Sequence, residues 1–335
     1  MRAPTFWWLA QPDAVSLALT PFGFIWGLVA ERRLKQTGVK TVLPVICVGN
    51  FVAGGAGKTP AAMACARILQ ARGRRPVFLT RGYGGSASRA ARPLRVDPSR
   101  HDAKLAGDEA LLLARHAPTI VTANRVAGAH AAEITGADVI VMDDGLQNPS
   151  LHKDFRIAVA DGETGIGNGK CIPAGPLRAP LDAQLAIIDA LVIVGQGEAG
   201  DRLAGRAAGL GVAIIRAHLR PEPEAVARLA GQRVVAFAGI GRPEKFFSTL
   251  EKTGARVIEA FSFDDHQMLD AANLRSLRAS ARTAMARLVT TEKDMARLAG
   301  IHDTGGIDVL PVSLVLEDEA GFTALMMRKI AQQRD

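Results

Sequence analysis

Short apolar runs alternate with longer amphipathic segments along most of the chain, and the alternation sets in after Thr41. Runs rich in Val and Ile at 43–48, 76–80, 119–122, 137–142, 155–160 and 190–194 read as strands buried on both faces. Segments of helical period, 59–71 and 108–116 among them, lie between some of these runs. Continuous apolar strands separated by helices predict a parallel sheet with helices on both faces. Pro221 and Pro223 break the rhythm and mark a boundary. Beyond it, strands at 233–238, 256–261, 287–290 and 309–316 alternate with helices, the first at 243–253. The pattern therefore predicts one α/β domain over 36–220 and a smaller α/β domain over 221–335.

Residues 1–35 follow neither pattern. The stretch 14–30 is uncharged and mostly apolar, and Glu31-Arg32-Arg33 follows it directly. All three tryptophans, Trp7, Trp8 and Trp26, fall in this region. A secretory signal would place its positive charge before the apolar run, so export is not expected. The stretch sits at the lower limit for a spanning helix, about 17 residues, and Pro21 and Gly23 lie within it. Flanking tryptophans and a basic cluster predict a membrane-associating helical segment, inserted in one leaflet or just spanning. A helical hairpin packed on the protein's own core is the alternative.

Composition narrows the possibilities. With 335 residues, 48% hydrophobic and 22% charged, the chain is ordinary globular protein. Aromatic residues are 5%, with Tyr83 the single tyrosine, which argues against the stacking platforms that bind single-stranded nucleic acid. The net charge of +8 suits an anionic membrane surface or a phosphorylated substrate as well as a solvated surface. Cys47, Cys65 and Cys171 have no CxxC spacing and define neither a disulfide framework nor a zinc site.

The chemistry begins at LPVICVGNFVAGGAGKTPAAMACARIL, where a buried strand runs into Gly54-Gly55-Ala56-Gly57-Lys58-Thr59 and then a helix. Glycines let backbone N–H groups curl around phosphate oxygens, and the helix N-terminus adds positive potential. Lys58 is placed to reach the β- and γ-phosphates of a nucleotide and the Thr59 hydroxyl to bind Mg²⁺. Val52 stands where the general motif has its first glycine. Such a site needs an acid at the end of a neighbouring strand, and the run at 137–142 ends in Asp143-Asp144-Gly145. A kinase must also deprotonate its acceptor. Asp108, in Gly107-Asp108-Glu109, and His266, in Phe263-Asp264-Asp265-His266, are candidates, with a helix N-cap the alternative role for Asp108.

Together these segments resemble the tetraacyldisaccharide 4′-kinase family, which makes lipid IV-A in lipid A synthesis. The resemblance spans nearly the whole chain: the apolar N-terminus, VGNFVAGGAGKTP, LTRGYGG (79–85), GDEALLLA (107–114), ANR (123–125) and VMDDGLQ (141–147). It continues through GNG and PAGPLR (167–178), AFAGIGRPEKFF (236–247), FDDH (263–266) and TTEKD (290–294). It implies ATP and Mg²⁺ as cofactors and γ-phosphoryl transfer to the 4′-hydroxyl of an acylated glucosamine disaccharide 1-phosphate. It also implies work at the cytoplasmic face of the bacterial inner membrane, with no obligate protein partner. By the same resemblance Asp108 is the base with His266 as its partner, Lys58 holds phosphate, and Thr59 with Asp143 or Asp144 holds Mg²⁺. Glu109 and Arg125 are placed in the site, Glu109 among the metal-site residues and Arg125 facing transferring phosphate charge. Asn148 and Gln267 stand where the family commonly has histidine. Tyr83 reads as a packing residue among turn glycines, Glu292 as a cap or ion-pair partner at a strand–helix junction, and Arg178 as a contact to anionic substrate. The alternative is a membrane-recruited P-loop switch ATPase; those proteins carry an extra lysine where this chain has Ala53.

Overall fold

A computed structural model describes residues 3–265, 267–300 and 303–332. The chain first forms a long helix, α1 (Ala14–Leu34), and then a run of strands: β1 (Val45–Asn50), β2 (Pro76–Thr80), β3 (Leu94–Arg95), β4 (Thr119–Val121), β5 (Val139–Asp143), β6 (Phe155–Asp161), β7 (Ala190–Val194) and β8 (Ala213–Pro221). Among these strands lie α2 (Lys58–Ala71), α3 (Ala103–Ala106), α4 (Asp108–Ala114), α5 (Arg125–Glu133), α6 (Leu181–Leu185) and α7 (Glu198–Ala208). A smaller unit follows: α8 (Pro223–Leu229), β9 (Arg233–Ala238), α9 (Pro243–Lys252), β10 (Arg256–Ser262), α10 (Ala271–Thr283), β11 (Arg287–Thr290), α11 (Glu292–Leu298) and β12 (Ile307–Val309). The chain ends with β13 (Val312–Leu316) and α12 (Glu319–Ala331).

Nine strands make the larger sheet in the order β13-β8-β7-β6-β1-β5-β2-β4-β3, and four make the smaller one, β10-β9-β11-β12. The smaller sheet is parallel throughout, and the larger is parallel except at its edges, where β3 and β13 run antiparallel. The two-sided burial expected of the apolar runs is seen residue by residue. Ile46 and Val48 of β1 join one core cluster with Phe155 and Phe322, while Val45 and Cys47 join the cluster on the opposite face.

The last strand and helix depart from the pattern-based division at 221–335. The expected strand 309–316 is two strands: β12 ends the smaller sheet, and β13 returns to pair with β8. Phe322, Met326 and Ile330 of α12 then pack into the larger core. The smaller lobe is thus inserted between β8 and β13, whose antiparallel pairing closes the larger sheet's edge. Strand β8 escaped the sequence reading because Arg216, His218 and Arg220 alternate with its apolar residues, so it lacks the continuous run of its neighbours.

The apolar stretch 14–30 lies in one continuous helix, α1, after a short 3-10 turn at Thr5–Trp8, and is not folded into a hairpin. Its docking face is its small residues: Ser16, Gly23 and Gly27 are buried. Ser16 Oγ donates to Ala174 O (2.7 Å), and a Cβ at Gly23 would stand 2.7 Å from Cys171 O. The bulky residues Leu17, Phe22, Phe24, Ile25 and Val29 are exposed on the other sides.

Candidate active site

Strand β1 lies between β5 and β6, so its C-terminal end opens into the crevice where ligands of parallel sheets bind. The loop that follows curls through Gly54 (φ +126°) and Gly57 (φ +87°) before α2 begins at Lys58. Both values lie in backbone space that a side chain would strain, which explains glycine there. Gly54, Gly55, Ala56 and Gly57 form the cradle, and Lys58 folds over it, its Nζ donating to Gly54 O (3.2 Å). Asn50 Nδ2 donates to the same carbonyl (3.0 Å).

The parallel register brings Asp143 beside Val48, at the mouth of the loop. Thr59 Oγ1 donates to Asp143 Oδ2 (3.1 Å), while Asp143 Oδ1 is buried without a hydrogen-bond partner among the described residues. Burial, and then the charges of Glu109 and Asp144, push the Asp143 carboxyl up to about 7. Asp144 differs: burial works against its charge, but Lys58 and Arg178 hold it below the usual carboxylate range. Arg178 grips it through Nη1 (2.7 Å) and Nη2 (3.2 Å), and Lys58 Nζ stands 4.0 Å away. Arg178 therefore faces a carboxylate of its own chain. Among the described residues no group of three or more acidic, His or Cys side chains converges as a metal cage. The Thr59–Asp143 pair suits Mg²⁺ without one, since that ion takes one or two carboxylates plus hydroxyl, phosphate and water oxygens. The orphaned Asp143 Oδ1 is a ligand atom of the right kind.

Asp108 is not an N-cap. It is the first residue of α4, after Gly107, and its Oδ1 accepts the N–H of Glu109 (2.9 Å). Its Oδ2 accepts from Arg297 Nε (2.6 Å), and Lys293 Nζ donates to Glu109 Oε1 (3.1 Å). Both cations belong to α11 of the smaller lobe, and neither was singled out by the sequence reading. The available signal was their i,i+4 spacing at the end of TTEKD, which puts them on one helix face. Burial disfavours the Lys293 charge, yet Glu109, Asp108 and Asp265 outweigh it and leave its pKa raised.

Arg125 opens α5, is buried, and donates through Nη1 to Thr122 O. Burial foremost, with Arg81, lowers its pKa to about 10, and its Nε lacks a hydrogen-bond partner among the described residues. His266 lies outside the described residues.

Three lesser expectations are revised or sharpened. Tyr83 is 66% exposed and so is not a packing residue. Thr291, not Glu292, caps α11, and Glu292 Oε2 instead accepts the Val312 N–H (3.3 Å). Asn148 Oδ1 accepts from Ser150 N (2.9 Å) and Ser150 Oγ (2.6 Å), which closes a local turn.

The family model for tetraacyldisaccharide-1-P 4′-kinase matches residues 15–331. The chain belongs to the tetraacyldisaccharide-1-P 4′-kinase family. It is 51% identical over 341 residues to a protein of Xanthobacter autotrophicus named tetraacyldisaccharide 4′-kinase, covering 99% of this chain and 98% of that one. A tetraacyldisaccharide 4′-kinase of Methylobacterium nodulans is 52% identical over 314 residues, covering 94% and 91%. A crystal structure of LpxK from Aquifex aeolicus in complex with ATP superposes with a TM-score of 0.71 at 24% identity, covering 94% of this chain and 99% of that one. The P-loop kinase fold expected from the apolar pattern and the glycine-rich turn is the fold of this family.

Proposed function

We propose that this chain is the ATP-dependent kinase that phosphorylates the 4′-hydroxyl of tetraacyldisaccharide 1-phosphate in lipid A biosynthesis. The observation that carries it is the Lys58 loop with Thr59 and Asp143 at its mouth and Glu109 of α4 near enough to act on Asp143, in a member of this family. The family assignment displaces the switch-ATPase alternative.

The cradle of Gly54–Gly57 would hold the phosphates of ATP through its backbone N–H groups and Lys58. Thr59 and Asp143 would hold Mg²⁺, with Asp144 kept by Arg178 as an outer support and Glu109 tuning Asp143 through its charge. When bound there, the ion would supply neutralisation of charge on the transferring phosphoryl group. Asp108 takes the proton of the 4′-hydroxyl as that oxygen bonds to the γ-phosphorus; the bond from the γ-phosphorus to the bridging oxygen breaks, and ADP leaves. Arg125 remains cationic at neutral pH and balances phosphoryl charge. His266 is the proposed partner of Asp108.

The substrate is a lipid, and α1 is the part suited to meet it at the cytoplasmic face of the inner membrane. Its exposed Phe22, Phe24 and Ile25 suit hydrocarbon, and Arg32, Arg33 and Lys35 suit anionic headgroups. Its small face packs on the loop carrying Asn168 and Arg178, polar residues that do not enter a bilayer, so the helix inserts in one leaflet and does not span.

Transfer of labelled γ-phosphate from ATP to tetraacyldisaccharide 1-phosphate in micelles tests this reading. Wild type should label the lipid. Lys58→Ala and Asp108→Ala should each lose on the order of 10²-fold or more while remaining folded. ATP consumption without lipid labelling would overturn the assignment.

A further inference from the structure

Asp108 and Arg297 are separated by 189 positions in sequence, yet both side chains are only 4% exposed and meet at 2.6 Å. The guanidinium is held from its own lobe before it reaches across. Arg297 Nη1 donates to Asp294 Oδ1 (2.7 Å) and to Gly239 O (2.6 Å). Asp294 is fixed in turn by the Gly239 N–H (3.2 and 3.1 Å) and the Thr291 hydroxyl (2.7 Å). One rotamer of Arg297 thus satisfies the strand end at Gly239, the start of α11 and the acid on α4. Its Nη2 has no hydrogen-bond partner among the described residues and stands 3.8 Å from Asp265 Oδ1. Four residues earlier on the same helix, Lys293 pairs with Glu109, so two adjacent acids of one lobe meet two cations of the other.

A charge that only balanced burial would need no such scaffold. A guanidinium fixed through Nη1 by two acceptors of its own lobe sets the direction of what its Nε binds, and a planar cation does this where an ammonium cannot. An ionised carboxylate offers about four acceptor sites, and the Glu109 N–H and Arg297 Nε take one each, on different oxygens. That fixes the plane of the Asp108 carboxylate. We propose that Arg297 is a positioning residue for Asp108, carried by the smaller lobe so that the base is oriented for the acceptor hydroxyl only while the lobes are together. This inference rests on Asp108 being the base.

The test is a kinetic cycle on the full-length enzyme in detergent micelles, with ATP, Mg²⁺ and tetraacyldisaccharide 1-phosphate: wild type, Arg297→Ala, Arg297→Lys, Asp108→Asn and the double variant Asp108→Asn/Arg297→Ala. Misorientation of a base costs on the order of 10²-fold, and that loss should appear in the kcat of Arg297→Ala with its KM for ATP within about 2-fold of wild type. Free guanidinium at non-denaturing concentration should restore part of the rate to Arg297→Ala and none to Asp108→Asn. Arg297→Lys should fall between wild type and Arg297→Ala. The double variant should be no slower than Asp108→Asn, because the arginine acts only through the aspartate.

Near-wild-type kcat in Arg297→Ala, or losses that multiply in the double variant, would overturn the proposal. Should Arg297→Ala not fold, the same cycle with Arg297→Lys decides the question, since it keeps the buried charge and loses only the fork. Failure of the base reading looks different: Asp108→Asn would then retain activity.

Discussion

Asp143 is a buried carboxyl pushed up to about 7 by burial and by Glu109 and Asp144, and this sets a pH dependence. Because its folded pKa lies above the ordinary value of 3.8, the folded state binds the proton more tightly than the unfolded chain. The contribution to stability is complete below the ordinary carboxylate range and is lost as pH rises through about 7. Melting of the nucleotide-free protein in chelator should therefore show a midpoint that falls between about pH 4 and 7. Asp143→Asn should flatten that fall, and Mg²⁺ with ATP should reverse it in wild type but not in the variant. A slope unchanged by Asp143→Asn would assign the dependence to another group. At this scale the glycine-rich turn after β1 and the two aspartates were legible in the sequence, because each sits within a few residues of the strand end that presents it. Which aspartate meets Thr59 was not legible, since the register of β5 against β1 and the grip of Arg178 on Asp144 decide it.

Helix α1 turns its small residues to the protein and its large apolar ones away, the reverse of an ordinary surface helix. The two faces should separate by mutation. Gly23→Leu drives a side chain against the Cys171 carbonyl, and overpacking of this kind costs about 1–3 kcal/mol. It should lower the melting midpoint and the transfer rate, because the supported loop runs on to Arg178, whose carbonyl accepts from Trp26 Nε1 (3.0 Å). Binding to anionic vesicles, measured by co-sedimentation, should persist. Phe24→Asp should do the opposite, weakening vesicle binding while leaving the melt unchanged. Equal effects of both variants on vesicle binding would refute the division of faces. The apolar run announced a helix, but not which residues face the protein, because Gly23 and Gly27 are defined as a docking stripe only by the loop they meet.

Across the whole molecule, charged pairs join the lobes on two sides of the phosphate loop. Lys293 and Arg297 meet Glu109 and Asp108 on one side; on the other, Arg242 and Lys245 meet Asp161 (3.0 and 2.5 Å) and Glu163 (2.5 and 3.4 Å). Between them the Gly241 backbone comes close to the loop, a Cβ there standing 3.8 Å from Gly55 N. The second set is partly exposed, so it is screened by salt and individually weak. Arg242→Glu should raise the KM for ATP and enlarge the radius of gyration in low-salt X-ray scattering, and Asp161→Arg added to it should restore both. An unchanged radius in Arg242→Glu would show that these pairs do not hold the lobes together.

What the sequence by itself determined is whatever a short window encodes. Strands 76–80, 190–194, 233–238 and 287–290 were readable to the residue because each is a mainly apolar run buried on both faces, the last two after an exposed arginine. The glycine-rich turn, Lys58 and Thr59 were readable because a phosphate cradle is built from adjacent residues. Only the tertiary structure decided that β13 and α12 return to the larger sheet, since an apolar strand pairs with whatever edge lies open, and β8 offered one. It likewise decided that Arg297 faces Asp108, because two charges distant in sequence become partners only when burial removes the water that would otherwise solvate each of them.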